Sequence, residues 1–403
     1  MPASKVLKTA ASLALLTLLA GCGKAPEAPT GDAQAGQDAL YDRRAMLLDQ
    51  AGQVVRPQVA AFAADAKALR QAVAGWCSGG AAGDGRATAQ AALKQAFVRW
   101  QTLEVYQFGP AAMDKHALRD RIYSWPLTSA CAVDQAAASC DPSGSCDASN
   151  ALVNRKGLDA LEALLFRDST DHGCPPQATP AAWAGMADAA RWQRRCGWAL
   201  AVATDLEAAA VTLDQAWRTD GGDYVAVLAA AGFSGNPFPS LREALNHWTD
   251  ALFYVDTETK TMKLGQPSGA VANACGFFGK ACPAALESPH ADLAKEAILA
   301  NVDAFEVAVL GRALGDGGRG PGLEAWLKAI GQPELASTLV QQTSACRTAV
   351  SDIPGTLRAA LQSDLAKVTA AHDLCKLLAV TMKTSLTTTL GLDLPDAAAA
   401  DAD

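Results

Sequence analysis

The length of its helix-forming segments narrows the fold of this chain more than any other feature. TPAAWAGMADAARWQRRCGWALAVATDLEAAAVTLDQAW (residues 179–217) opens with Thr179, read as an N-cap, and Pro180, read as a first helical residue. ATAQAALKQAFVRWQTLEVYQF carries Leu93, Phe97, Trp100 and Val105 at helical spacing and breaks at Gly109-Pro110. SLREALNHWTDALFYVDTETKTMKLG follows Ser240, with Gly265 as its stop. Three more such segments lie within residues 290–390. Ala, Leu, Glu, Gln, Lys and Arg dominate them, and no window alternates with period two. The expected fold is all-α, because helices of this length do not fit a compact α/β unit.

Loops divide this helical chain. Arg218 to Tyr224 (RTDGGDY) splits it into two parts of similar size, each with room for about four helices. Two antiparallel helical bundles packed side by side are therefore expected, one over 38–220 and the other over 221–390. Residues 22–37 read as a flexible tether rich in Pro, Gly and Ala, and 391–403 as a disordered acidic tail.

Residues 1–21 read as an export leader, with Lys5 and Lys8 before a short apolar run. The run ends in LLAGC, which resembles a bacterial lipobox and makes Cys22 the expected lipidation site. With Gly23 rather than an acid after it, the resemblance implies a lipid anchor in the outer membrane, facing the periplasm. The remaining cysteines are Cys77, Cys131, Cys140, Cys146, Cys174, Cys196, Cys275, Cys282, Cys346 and Cys375. An even set in an exported chain reads as disulfides, with Cys275 and Cys282 able to close a short loop. The other pairings stay open. There are 34 Lys and Arg against 42 Asp and Glu, so loss of Lys5 and Lys8 takes the net charge from −8 to −10. An acidic surface argues against nucleic acid and leaves cations as partners.

The most informative stretch is RKGLDALEALLF, Arg155 to Phe166. Its helix is expected to start at Ser149 or Asn150 and to bury Leu158, Leu161 and Leu165. Asp159 and Glu162 then lie along one border of that stripe, where like charges repel by about 0.2–0.5 kcal/mol. Gly157 inside a helix costs about 1 kcal/mol relative to alanine. Two penalties on one turn point to a close backbone approach at Gly157 and a cation or donor between the carboxylates. The plainer reading is a solvated acidic edge with an indifferent glycine.

GLDALEALLF resembles the Gly-x-His-x-x-Glu motif helix of the imelysin family of cell-envelope proteins. FVRWQTLEVYQFGP (97–110), RIYSWP (121–126) and KLGQPSG (263–269) resemble further family segments, in family order. The resemblance implies a motif at a junction between two helical bundles. It also implies either a metal-dependent peptidase or an iron-regulated uptake protein. Here Asp159 stands where the family has histidine. An Asp/Glu pair favours hard cations, divalent or ferric, over the zinc site of a peptidase. No H-E-x-x-H is present. The expected activity is therefore binding of a metal ion or metal-bearing ligand without turnover. A peptidase, and a scaffold contacting an envelope partner protein, are the alternatives.

Glu104 and His116, on either side of the Gly109-Pro110 break, are further candidate ligands for such a cation, or else a surface acid and histidine. Arg121 is a candidate partner for Asp159 or Glu162, which would replace any metal with a salt bridge. Glu243, His247 and Asp250 share one helix face, a spacing that serves a ligand or a solvated edge. His172, His290 and His372 stand alone. The tryptophans, Trp100, Trp125 and Trp248 among them, read as core or junction packing.

Overall fold

The computed structural model describes residues 40–79, 85–140, 146–276, 278–315 and 318–400. The expected leader, Cys22 and the tether lie outside them. Met1–Leu40 forms a unit of its own, of which only Leu40 is described, and Tyr41–Asp403 forms one compact unit. Among the described residues no strand forms, and the only extended pairing is a bridge between Ala313 and Arg319. The fold is all-α.

Helix α1 (Arg43–Asp49) continues through a π-helical turn, Gln50–Val55, into α2 (Arg56–Gly79). α3 (Gly85–Glu104) runs back along α2. Phe62, Leu69, Val73 and Trp76 recur every three, four or seven residues, so they share one face of α2, and all are buried. Leu93, Phe97 and Trp100 meet them from α3, with the Phe62 and Trp100 rings 5.0 Å apart. After α4 (Met113–Ile122), α5 (Ala130–Ser139) and α6 (Leu158–Phe166), the long α7 (Asp188–Trp217) lies along α2 and supports α4, α5 and α6. α6 also packs on α3, so the motif helix is held from two sides.

Beyond α8 (Tyr224–Ala229) and α9 (Leu241–Leu252) comes a second π-helical stretch, Val255–Gly265. α10 (Ala294–Leu310), α11 (Leu323–Ala329), α12 (Pro333–Ser351), α13 (Leu357–Ser363) and α14 (Leu365–Thr381) follow. α10 packs on α12, α12 on α14, and α14 on the π-helical stretch, while α10 also meets α3. The larger apolar core crosses residue 220, since Trp76, Trp248 and Trp326 belong to one cluster. A smaller one gathers Ile298, Val350, Leu357 and Cys375.

Several boundaries differ from the sequence reading. Thr179 and Pro180 do not open α7, which starts at Asp188. Trp183 instead anchors a turn: its indole N–H donates to the Thr170 carbonyl at 3.1 Å, and the Arg195 guanidinium lies 5.5 Å from its ring. Ser240 does cap α9, accepting the Glu243 N–H. Gly265 keeps helical dihedrals, and the chain turns at Gly269, with φ +78°. The described part of the acidic tail is docked rather than loose. Leu392 and Ala398 are buried, and Asp393 accepts a hydrogen bond from Arg242 at 2.8 Å and another from the Asn246 amide.

All ten cysteines expected to pair do so, as Cys77–Cys196, Cys131–Cys174, Cys140–Cys146, Cys275–Cys282 and Cys346–Cys375. The short Cys275–Cys282 loop is as expected. Five disulfides fit an exported chain in an oxidising compartment.

Candidate functional site

Gly157 is not inside a helix. It precedes α6 with φ +91°, a conformation that an L-residue with a Cβ rarely adopts. A Cβ there would lie 2.7 Å from the Ile122 carbonyl oxygen and 3.0 Å from Asp159 Oδ1. The close approach expected at this glycine is real, but α6 begins at Leu158 and not at Ser149 or Asn150. Residues 153–155 form a separate 3-10 turn. The helix is thus shorter than its pattern implied, and Asp159 falls in its first turn. There the unpaired N–H groups and the helix dipole favour an acid.

Both carboxylates are buried, Asp159 at 7% exposure and Glu162 at 3%, and neither is a solvated edge. Leu158, Leu161 and Leu165 form the buried stripe as expected. Asp159 Oδ2 accepts the Ser124 N–H at 3.2 Å and the Thr128 hydroxyl, and Oδ1 accepts the Ala160 N–H at 3.0 Å. Glu162 Oε1 accepts the N–H groups of His290, at 2.6 Å, and Ala291, at 2.8 Å. Burial raises Asp159 to about 6 in spite of these donors. Burial raises Glu162 to about 7, and the nearby Asp159 adds to the shift.

The two acids open onto a cavity of about 320 Å³. Tyr123, Trp125 and Pro126 line it from the segment after α4, and Ser288 and His290 from a loop before α10. Among the described residues, no lysine or arginine lines it. Burial, with Arg167 and Arg358 as the main nearby cations, lowers His290 to about 4, so the imidazole stays neutral. The loop is held at its base by Glu287, which is fully buried. Its Oε1 takes the Lys263 ammonium at 3.0 Å, the Tyr123 hydroxyl at 2.6 Å and the Gln101 amide at 3.0 Å. Lys263 also donates to Asn301 Oδ1 at 2.9 Å and lies 5.8 Å from the centre of the Trp125 ring.

Other candidates separate from this cavity. Arg121 does not neutralise the motif acids: it binds Asp205, at 2.6 Å, as Lys156 does at 3.2 Å. Glu104 is fully buried and paired with Arg119 at 3.0 Å. His116 lines a different cavity, together with His247 and Asp250. Neither Glu104 nor His116 lines the Asp159 cavity, and at the break Gly109, with φ +62°, gives its N–H to His247 Nε2 on α9. His172 accepts the Cys174 N–H, and His372 contacts Asp373. The residues missed in sequence are His290, Ser124, Thr128 and the Lys263–Glu287 pair. All reach the site from distant segments, and no local periodicity marks them.

The donor set can be tested against a resident metal. Among the described residues, no group of three or more His, Cys, Asp or Glu is placed to hold an ion. Asp159 Oδ2 and Glu162 Oε1 are already occupied by N–H and O–H donors. A catalytic metal held by the protein alone does not fit this arrangement.

No curated protein matches the chain. Its fold is similar to that of an imelysin-like protein from Psychrobacter arcticum, with a TM-score of 0.66 and 19% identity over 90% of this chain and 98% of that one. It is also similar to a putative iron-regulated protein A precursor from Parabacteroides distasonis, with a TM-score of 0.67 and 18% identity over 88% of this chain and 95% of that one. The family model described as imelysin matches residues 55–381, and the chain belongs to the imelysin family.

Proposed function

We propose that this protein binds a cationic or metal-bearing small ligand, as cargo and without turnover, in the cavity of Asp159, Glu162 and His290. One observation carries the reading. Two carboxylates and a neutral imidazole line a single cavity that, among the described residues, no lysine or arginine lines. A buried acid with a raised pKa becomes charged when a cation enters, so binding regains what burial costs. Trp125 and Tyr123 supply aromatic walls for the body of a ligand larger than a bare ion. That preference follows from the donors already satisfied at Asp159 Oδ2 and Glu162 Oε1. Iron acquisition or envelope homeostasis is the setting this proposal assigns, with Cys22 anchoring the chain to the outer membrane. A relative named for iron regulation supports the setting.

The test is to measure metal retained on the purified protein after gel filtration, offered as ferric citrate or as free iron, zinc or calcium. Stoichiometric metal on wild type, lost in Asp159→Asn with Glu162→Gln, is the expected outcome. Chelator-sensitive peptide hydrolysis would replace binding with the peptidase reading. Neither metal nor hydrolysis would leave a scaffold contacting an envelope protein.

A further inference from the structure

A second acidic cavity, of about 370 Å³, lies where the segment after α3, α9, the π-helical stretch and the C-terminal segment meet. Its size is at the lower end for small-molecule sites. His116, His247, Asp250 and Glu258 line it, Phe253 and Ala398 give it apolar wall, and among the described residues no lysine or arginine lines it. Tyr254 and Gln107 also line it. Tyr254 is 7% exposed, yet its hydroxyl has no hydrogen-bond partner among the described residues, and neither has Gln107 Nε2. The buried Glu104 Oε1, which acts electrostatically on Tyr254 and Glu258, is also unpaired. Each unpaired buried polar group costs about 1–3 kcal/mol. Two of them, on Tyr254 and Gln107, lie on the wall of one cavity and call for a ligand that satisfies them.

The charge of that ligand follows from the lining. Burial raises Asp250 to about 6, and Asp393 and Glu243 push it further up. Burial raises Glu258 to about 6 as well. Arg119 and Lys263 act electrostatically on Glu258 but are paired with Glu104 and Glu287, so the two acids on the cavity wall favour a positive guest. A metal ion fits poorly. His247 Nε2 accepts the Gly109 N–H at 2.9 Å, which assigns the ring proton to Nδ1 and leaves no lone pair for a metal. An amine brings N–H donors for the carboxylates and a short apolar stem for Phe253 and Ala398.

We propose that this second cavity binds a small organic cation of the primary-amine class, with Asp250 and Glu258 as its anionic partners and Tyr254 as a hydrogen-bonding one. The C-terminal segment closes one side, and Asp393 ties it to Arg242 and Asn246 on the helix that carries His247 and Asp250. The site stands apart from the Asp159 cavity and does not depend on its function.

Calorimetric titration of the purified full chain with 1,4-diaminobutane tests this. Saturable binding is expected, weakened at least tenfold in Asp250→Asn and in Glu258→Gln and unchanged in Asp159→Asn. Circular dichroism checks that each variant keeps its helices. Should the acid variants lose their fold, Tyr254→Phe decides: weaker amine binding supports the site, and unchanged affinity overturns it. No saturable heat at millimolar diamine, or an affinity indifferent to both acids, also overturns it. So does zinc or manganese binding that is lost in His247→Ala, since the cavity would then hold a metal instead.

Discussion

The Ile122 carbonyl oxygen sits 2.7 Å from the point where a Cβ on Gly157 would project. This contact brings the end of α4 against the start of α6 and sets the first turn in which Asp159 is held. Gly157→Ala would combine a strained positive φ with a backbone clash, each costing about 1–3 kcal/mol. We expect a loss of about 2–4 kcal/mol in urea unfolding. Wild-type stability in this variant would mean that the turn is not constrained as described.

The raised acids make a signed prediction about pH. Folded Glu162 holds its proton up to about pH 7, whereas an ordinary glutamate releases it near 4.5. Between those values the folded state binds more protons than the unfolded one, so stability falls as pH rises through the window. Asp159, raised to about 6, acts in the same direction. Comparing wild type with Glu162→Gln isolates the effect: the difference should move against wild type from pH 4.5 to 7 and then level off. A difference that moves the other way would show that the N–H donors outweigh burial.

Lys263 and Glu287 are fully buried and paired, and together they anchor the loop that presents His290. Breaking one side of such a pair leaves an uncompensated charge, at a cost of about 3–5 kcal/mol. Lys263→Met should therefore destabilise by that amount. Lys263→Met combined with Glu287→Gln should lose less than the sum of the two single changes in a double-mutant cycle. Strict additivity would argue that the two groups do not interact.

The disulfides should differ in weight. Cys77–Cys196 spans 119 residues of sequence and Cys140–Cys146 only 6. On chain entropy alone, the first contributes about 5 kcal/mol and the second about 2 kcal/mol. Paired serine substitutions followed by thermal unfolding should rank them in that order, and the reverse ranking would contradict an entropic account.

Much of this molecule is legible in its sequence because helices are local. The 3.6-residue period marked the core face of α3, and the even cysteine set announced that its members pair. The misreadings share one cause. Periodicity carried α6 back to Ser149 and α7 back to Thr179, where Gly157 and Trp183 make tertiary contacts that end the regular pattern. The site was half legible. Gly157, Asp159 and Glu162 lie within six residues of sequence, whereas His290 arrives from a loop 128 residues beyond Glu162, where its N–H meets Oε1. Arg121 offered an obvious charge partner in sequence, yet Asp205 on α7 captures it.

Anaerobic calorimetry of ferrous iron binding at pH 6.5, run in two buffers of different ionisation enthalpy, measures the proposed function most directly. A cation entering the Asp159 cavity should drive protons off the raised acids. Wild type should therefore bind with net proton release, and Asp159→Asn with Glu162→Gln should bind at least tenfold more weakly. Binding of equal strength in that variant, with no proton released by either protein, would contradict a site built on these two carboxylates.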